Sequence, residues 1–441
     1  MLATQVFARY AVQFKAQPTP GEVMHHAKRA VVDWHASAYC GCSAEPVRML
    51  QDVLADELDR GSARLILGRP ATPRAAALVN GASAHAAEVD DSFREAMYHP
   101  GAPTIAAALA AAQAIGSTGQ DFLTAVVLGY EVSTRIGMAL GRAHYQSWHT
   151  TGTVGTFGAA AAAGALLALD ELQFAHALAT AATFAAGLQQ AFRMDSMSKP
   201  LHAGRAAEAG LLAAQLAARG MTGSLDVLDG ANGMGAAMGN CADWSQIGET
   251  LGRDFHITRM TFENHIGCGH TFPAIDGALE LQRRHRFRAE DVASIRIGTY
   301  KPALDIACHM RPTSANEARF SISYTVATAL AHGSVRMAAY EPQRLHEPAT
   351  RELLERITLR VDPELDAAFP GRRAARVEIV LRDGRTLTHL QLHRRGDPEL
   401  PLADADLEGK LMEFASPVIG AEPARALAKL LWSLDTSMTL P

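Results

Sequence analysis

Four short polar clusters interrupt an alanine-rich chain of 441 residues: Glu88-Val89-Asp90-Asp91-Ser92 followed by His99-Pro100-Gly101; Trp148-His149-Thr150-Thr151; Lys199-Pro200-Leu201-His202-Ala203-Gly204-Arg205; and Ser321-Ile322-Ser323-Tyr324. Carboxylates, imidazoles, a lysine and a phenol are the groups that move protons and hold charge on an anionic substrate. Set on one helix over 74–92, His85, Glu88 and Ser92 share a face, with Asp91 beside Glu88. Acidic residues packed this closely repel one another, which raises a carboxyl pKa or recruits a cation. His99 sits on a turn set by Pro100. Thr150 or Thr151 reads as an N-cap that brings His149 to a helix N-terminus, where a substrate carboxylate is favoured. Ser196 or Ser198 reads as a second cap ahead of Pro200. Lys199, His202 and Arg205 then crowd positive charge against a helix dipole that disfavours it, unless an anion compensates. Tyr324 opens a helix further along.

The elements that must position these groups are mostly helical. Segments near 21–39, 46–58, 74–92, 102–117, 119–141, 153–169, 171–189 and 200–219 carry apolar residues at helical spacing. Gly220 is a stop for the last of them. After about residue 258 the texture changes. Residues 292–298, 357–361 and 377–381 alternate with a period of two, and Asp383-Gly384 is a hairpin signal before 386–390. Helices at 271–284, 319–331 and 348–355 intervene, and 403–434 is helical again. The expected fold is mainly α: a large all-helical domain over 1–258, completed by 399–441, and a smaller α+β domain over 259–398.

Composition bounds the function. A net charge of −5 gives no support for nucleic-acid binding or a basic membrane face, so an anionic substrate must be held by local cations. Lysine occurs only at Lys15, Lys28, Lys199, Lys301, Lys410 and Lys429, which makes Lys199 a rarer choice than usual. Cys40, Cys42, Cys241, Cys268 and Cys308 show no paired spacing and complete no metal-binding set. The longest apolar run, Val154 to Leu169, is rich in Ala and Gly and reads as a buried helix rather than a membrane span. The N-terminus reads as a docked helix, and the expected location is cytoplasmic.

Taken together, these residues resemble the MmgE/PrpD family of methylcitrate dehydratases, cis-aconitate decarboxylases and iminodisuccinate epimerases. The resemblance is carried by the acidic cluster with His99-Pro100-Gly101, by Trp148-His149-Thr150, by Ser198-Lys199-Pro200-Leu201-His202-Ala203-Gly204, by Gly220-Met221-Thr222-Gly223 and by Phe320 to Tyr324. It implies a helical domain built from both chain ends, an inserted α+β lid domain, a homodimer, and catalysis without a metal or organic cofactor. Glu88 resembles a family Asp and Ser92 a family Thr, while His99, His149, Lys199 and Tyr324 match in kind. The stretch where the family carries Lys-x-x-Pro-x-Cys reads Glu263-Asn264-His265-Ile266-Gly267-Cys268-Gly269-His270 here, with His270 resembling a family histidine.

The expected activity is that of a cofactor-independent lyase, first a dehydratase of a hydroxylated di- or tricarboxylate such as 2-methylcitrate. Catalytic roles fall to Glu88, Asp91, His99, His149, Lys199 and Tyr324, with His99 paired to Glu88 or Asp91. Ser92, His202, Arg205 and His270 bind substrate. Decarboxylation and epimerisation pass through the same carbanion and stay open. So do a non-catalytic carboxylate-binding protein and a metallohydrolase built from His85, Asp90, Asp91 and His99.

Overall fold

The computed structural model describes residues 1–192, 196–239, 242–369 and 371–441, which leaves Cys241 outside the described residues. The chain divides into two compact units, Met1–Phe262 with Ala403–Pro441, and Glu263–Leu402.

Small residues set the packing of the first unit. Its central helix, Lys199–Ala217, runs against Pro73–Ala86 and Gly155–Leu166. At Gly204 an added Cβ would lie 2.3 Å from the Leu78 carbonyl oxygen. At Gly210 it would lie 2.5 Å from both the Thr156 oxygen and the Ala159 Cβ. Backbones this close need glycine at the crossing and alanine around it. The crossing fixes where Lys199 and His202 lie relative to the end of Pro73–Ala86. Around it pack Gly21–Gly41, Gly101–Ile115, Gly119–Ser147 and, after the second unit, Asp404–Ile419 and Ala421–Trp432. Ala3–Lys15 buries Phe7, Ala8, Ala11 and Phe14, the docked first helix the sequence leads one to expect. Gly119–Ser147 is long and apolar enough to cross a membrane, yet 89% of its most apolar window is buried inside the protein.

The expected helix over 46–58 instead ends at Val53, and the chain enters an antiparallel pair, β1 (Leu58–Arg64) and β2 (Pro70–Ala71). The expected 74–92 helix stops at Ala86, because Glu88 adopts the left-handed conformation (φ 56°) that a continuing helix forbids. His85, Glu88 and Ser92 therefore do not share a helical face. The expected cap also shifts. His149 occupies the N-cap of Thr150–Thr153 without a side-chain cap bond, and Thr150 lies inside the first turn. Ser198 stands at the N-cap of Lys199–Ala217 but likewise makes no capping bond, its hydroxyl lying 3.0 Å from that of Ser196.

In the second unit a four-stranded sheet runs in the order β4-β3-β5-β6, with β3 at Val292–Thr299, β4 at Ile357–Val361, β5 at Ala375–Leu381 and β6 at Thr386–Gln391. β3 and β4 are parallel, so the connection between them must cross over, and it carries the helix Ile322–His332. The β5–β6 hairpin turns at Asp383-Gly384, where Gly384 takes φ 87°. Phe272–His285 covers the sheet at β5 and β6.

Candidate active site

The acidic loop after Pro73–Ala86 separates its carboxylates. Asp91 turns inward: the Gly101 amide donates to its Oδ1 at 2.9 Å and the Tyr130 hydroxyl to its Oδ2 at 2.6 Å. Asp90 turns to the imidazoles. Its Oδ2 lies 2.8 Å from His85 Nδ1, a hydrogen bond, and 3.5 Å from His99 Nδ1, an electrostatic contact. Glu88 reaches the Lys199 ammonium at 2.5 Å. The expected pairing of His99 with Glu88 or Asp91 is thus replaced by pairing with Asp90. Left-handed backbone at Glu88 and the grip on Asp91 together leave Asp90 as the carboxylate that faces His99.

Four imidazoles line up behind this loop. His85 and His99 meet edge to face with ring centroids 5.0 Å apart, and His149 stacks on His85 at 5.4 Å. His149 Nδ1 then lies 3.0 Å from His202 Nδ1, one donating and the other accepting. The Gly187 carbonyl receives the His149 amide, which fixes the ring's position ahead of Thr150–Thr153. His85 is fully buried, whereas the His99 side chain keeps 24% of its surface exposed. Asp90 Oδ1, His85 Nε2 and Thr150 Oγ1 are buried polar atoms with no hydrogen-bond partner among the described residues. Unsatisfied atoms gathered in one place mark a site built for a ligand or for water. A cavity of about 510 Å³ lined by Ala186, Gly187, Leu188, Gln190, Ala191, His202 and Arg205 opens beside His202.

Electrostatics sort the groups. Burial pushes Glu88 up, but Lys199 and then His85 pull it below the usual carboxylate range. Burial lowers Lys199, and the Glu88 charge more than restores it, so the ammonium stays protonated. Asp90 is raised by burial and lowered further by His85 and His99, leaving it ionised. Burial drives His99 down to about 4 against the opposing pull of Asp90. It also carries His149 well below its ordinary value and lowers His202, with the neighbouring positive charges adding to the effect. Burial raises Asp91 to about 8 in spite of its two donors. At neutral pH the site therefore holds an ammonium at Lys199, carboxylates at Glu88 and Asp90, and neutral imidazoles at His99, His149 and His202.

The other expected residues find partners of their own. Ser92 exchanges both backbone hydrogen bonds with Thr261, which pins the loop's far end. Arg205 pairs with Glu208 three residues on, and its side chain is 59% exposed. The anions that compensate the crowded helix N-terminus are thus Glu88 and Glu208. Tyr324 and His270 belong to the second unit. There the Ser321 hydroxyl caps the Tyr324 amide at 3.0 Å, and the buried Tyr324 hydroxyl donates to the Ala339 carbonyl. His270 Nδ1 lies 2.7 Å from the Tyr300 hydroxyl, and burial, with Arg373 and Arg394, lowers it to about 3. The junction stretch is anchored within that unit: Tyr340 donates to the Ile266 carbonyl, Arg336 to that of Asn264, and His265 Nε2 lies 2.8 Å from Asp276.

His85 and Asp90 are the functional candidates that the spacing alone undervalues. One signal was available, since a histidine just before a helix stop and an acid five residues later can fold back on each other. His85, Asp90 and His99 also bring one ligand atom each within 4.8 Å of one another, a set that could accept a divalent cation. Cys42 and Cys308 are free thiols.

The helical unit, to which Ala403–Pro441 returns, thus carries a lysine–carboxylate pair beside linked imidazoles. The chain belongs to the MmgE/PrpD family, its residues 5–247 matching the N-terminal domain and 265–436 the C-terminal domain. Among its relatives, the cis-aconitate decarboxylase-like protein oryM of Aspergillus oryzae is 28% identical over 98% of this chain and 95% of its own length. The cis-aconitate decarboxylases of Mus musculus and Homo sapiens are each 27% identical over 98% of this chain, spanning 90% and 92% of their own lengths. Two of these relatives are named as decarboxylases and one as decarboxylase-like.

Proposed function

We propose that this protein is a cofactor-independent lyase of an anionic tricarboxylate or dicarboxylate, working through a carbanion held beside a carboxylate. The observation that carries the reading is the convergence of the Lys199–Glu88 pair with Asp90, His85 and His99. A carbanion next to a carboxylate spreads its charge onto the carboxylate oxygens, and a fixed cation there is the largest stabilising influence available. Lys199 supplies it. His99, partly exposed and backed by Asp90, exchanges the proton. His85 is wholly buried against Asp90 and orients it.

Decarboxylation is the favoured reaction because the relatives cited above carry that activity in their names. In it the C–CO₂ bond breaks, CO₂ leaves, the electron pair shifts towards a remaining carboxylate, and a proton is returned to carbon. His99 becomes the donor once a polyanion beside it raises its pKa. Dehydration, the first expectation from the sequence, is the second reading: a neutral His99 is already poised as a base, and Lys199 would protonate the departing hydroxide. Proton NMR in deuterated water with cis-aconitate, 2-methylcitrate, citrate, malate-type hydroxy acids and iminodisuccinate separates the outcomes. Loss of a carboxylate with deuterium on carbon supports decarboxylation. New alkene signals from a saturated hydroxy acid support dehydration. Inversion with deuterium uptake means epimerisation, and no change in any compound refutes the lyase reading for this panel.

A further inference from the structure

Lys410 is one of six lysines in the chain and lies on Asp404–Ile419, beyond the whole second unit in sequence. Its side chain is 3% exposed. The ammonium donates to Asp33 Oδ1 at 2.6 Å and to the Val89 carbonyl at 2.6 Å. Asp33, on Gly21–Gly41, is fully buried, and the Ser37 hydroxyl of that same helix also donates to the Val89 carbonyl at 3.3 Å. Val89 stands between Glu88, which meets Lys199, and Asp90, which meets His85 and His99.

A buried ion pair is a poor device for stability, since an apolar pair of similar volume commonly serves as well or better. What an apolar pair cannot do is hold a carbonyl. The loop needs such a hold. Glu88 takes a left-handed conformation that a non-glycine residue keeps only when its surroundings over-determine it. Three tethers supply this: Lys410 and Ser37 on the Val89 carbonyl, Tyr130 and Gly101 on Asp91, and Thr261 on the Ser92 backbone. Among the described residues, Lys410 and Ser37 hold the residue between the two outward-facing carboxylates, and the Lys410 bond is the shorter, 2.6 Å against 3.3 Å.

We propose that Lys410, seated by Asp33, is a positioning residue of the active site: the C-terminal helix clamps the Val89 carbonyl and thereby aims Glu88 at Lys199 and Asp90 at the imidazoles. The segment that follows the second unit is then a working part of the catalytic apparatus and not only a structural closure. In its kinetic consequences the inference rests on the lyase reading; in its structural consequence it does not.

The test uses the full chain with Lys410→Met, Lys410→Arg and the double variant Asp33→Asn/Lys410→Met, which removes both buried charges together. The first readout is the split between kcat and KM on the substrate found by NMR. The second is the ring nitrogen resonances of ¹⁵N-histidine-labelled protein, which needs no substrate. For Lys410→Met we expect kcat to fall about 10²-fold, as for a sub-ångström to ångström misplacement of reacting groups. KM should stay within about threefold, because Lys199 remains to bind the anion. The His85 and His99 signals shift, while those of His332 and His393 in the second unit hold. Lys410→Arg restores part of kcat by keeping a donor near Val89. If Lys410→Met fails to fold, the double variant carries the test, with wild-type thermal stability and the same loss of kcat expected. A folded double variant with wild-type kcat, or with unmoved His85 and His99 signals, overturns the proposal. Should wild type change no compound of the panel, the lyase reading fails, and the histidine signals still decide on the clamp.

Discussion

Lys199→Met keeps most of the side-chain volume and deletes the charge, so its effect can be worked from the site. A substrate carboxylate taking up carbanion charge about 4 Å from the ammonium, at an effective dielectric of about 20, gains about 4 kcal/mol. Part of that attraction already acts on the resting substrate, and only the excess in the transition state accelerates the reaction. Assigning about 3 kcal/mol to that excess gives a loss of about 10²-fold in kcat, with the remainder appearing as a higher KM. Glu88 loses the partner that lies 2.5 Å away, and its pKa rises towards the protonated side as burial goes unopposed by the ammonium. The pair keeps only 19% and 32% side-chain exposure, so a Glu88 carboxylate left without its partner costs folding about 1–3 kcal/mol. Melting should fall by about 1–4 °C. Steady-state NMR turnover beside a thermal melt and far-UV circular dichroism measures both. A folded Lys199→Met protein whose kcat/KM stays within tenfold of wild type would refute the electrostatic argument, and with it the proposed role of the lysine.

Asp90 and Asp91 should part company: Asp90→Asn lowers kcat by about 10²-fold or more by unpairing His99, whereas Asp91→Asn, which keeps an oxygen for the Gly101 amide, costs less than about tenfold. Equal losses in the two would return the acid–base role to Asp91. Burial holds His99 at about 4, so a donating His99, as in decarboxylation, makes kcat/KM fall as pH rises through about 4, whereas an accepting His99, as in dehydration, gives an acid limb near pH 4 rather than 6.5. His35 and His144 also lie at about 4 through burial. A histidine depressed in the folded state contributes stability that is intact above its unfolded value and lost as pH falls through the folded one. The melting temperature should therefore decline between about pH 6.5 and 4, and a flat profile there would contradict the burial of these rings. Dialysis against a chelator should leave turnover unchanged, while loss of activity regained with added metal would assign His85, Asp90 and His99 to a cation. Gly204→Ala should destabilise the first unit by about 1–3 kcal/mol and lower kcat as well, since its Cβ meets the Leu78 carbonyl at 2.3 Å and drives Lys199–Ala217 off Pro73–Ala86. Melting and turnover of that variant check both effects.

Periodicity and punctuation made much of the architecture legible. The alanine-rich segments, the period-two runs and the Asp383-Gly384 turn announce helices and strands through interactions that reach only a few residues. β1 and β2 escaped that reading, since Leu58-Asp59-Arg60-Gly61 carries too little alternation to mark a half-buried strand and only pairing with Pro70-Ala71 makes it one. Long-range effects also ended the 74–92 helix early. Residues 87–92 are locally able to continue it, yet Lys410 on Val89, Tyr130 on Asp91 and Thr261 on Ser92 hold them in another shape.

The same division runs through the site. Residue types and their clustering were enough to single out Glu88, His99, His149, Lys199 and His202 as chemical groups, because reactivity resides in the side chain and a cluster of such side chains is visible in one dimension. Which carboxylate faces which imidazole was not. Asp90 and Asp91 are adjacent and chemically identical, and nothing local separates them. One is turned outward to His85 and His99 and kept ionised; the other is turned inward to Tyr130 and raised to about 8 by burial. That choice depends on the left-handed turn at Glu88 and on a lysine more than three hundred residues away in the chain. The sequence by itself determined the helical frame and the reactive groups, through local propensity and side-chain chemistry. Only the tertiary structure, through contacts whose partners lie far apart in sequence, decided their pairing and charge.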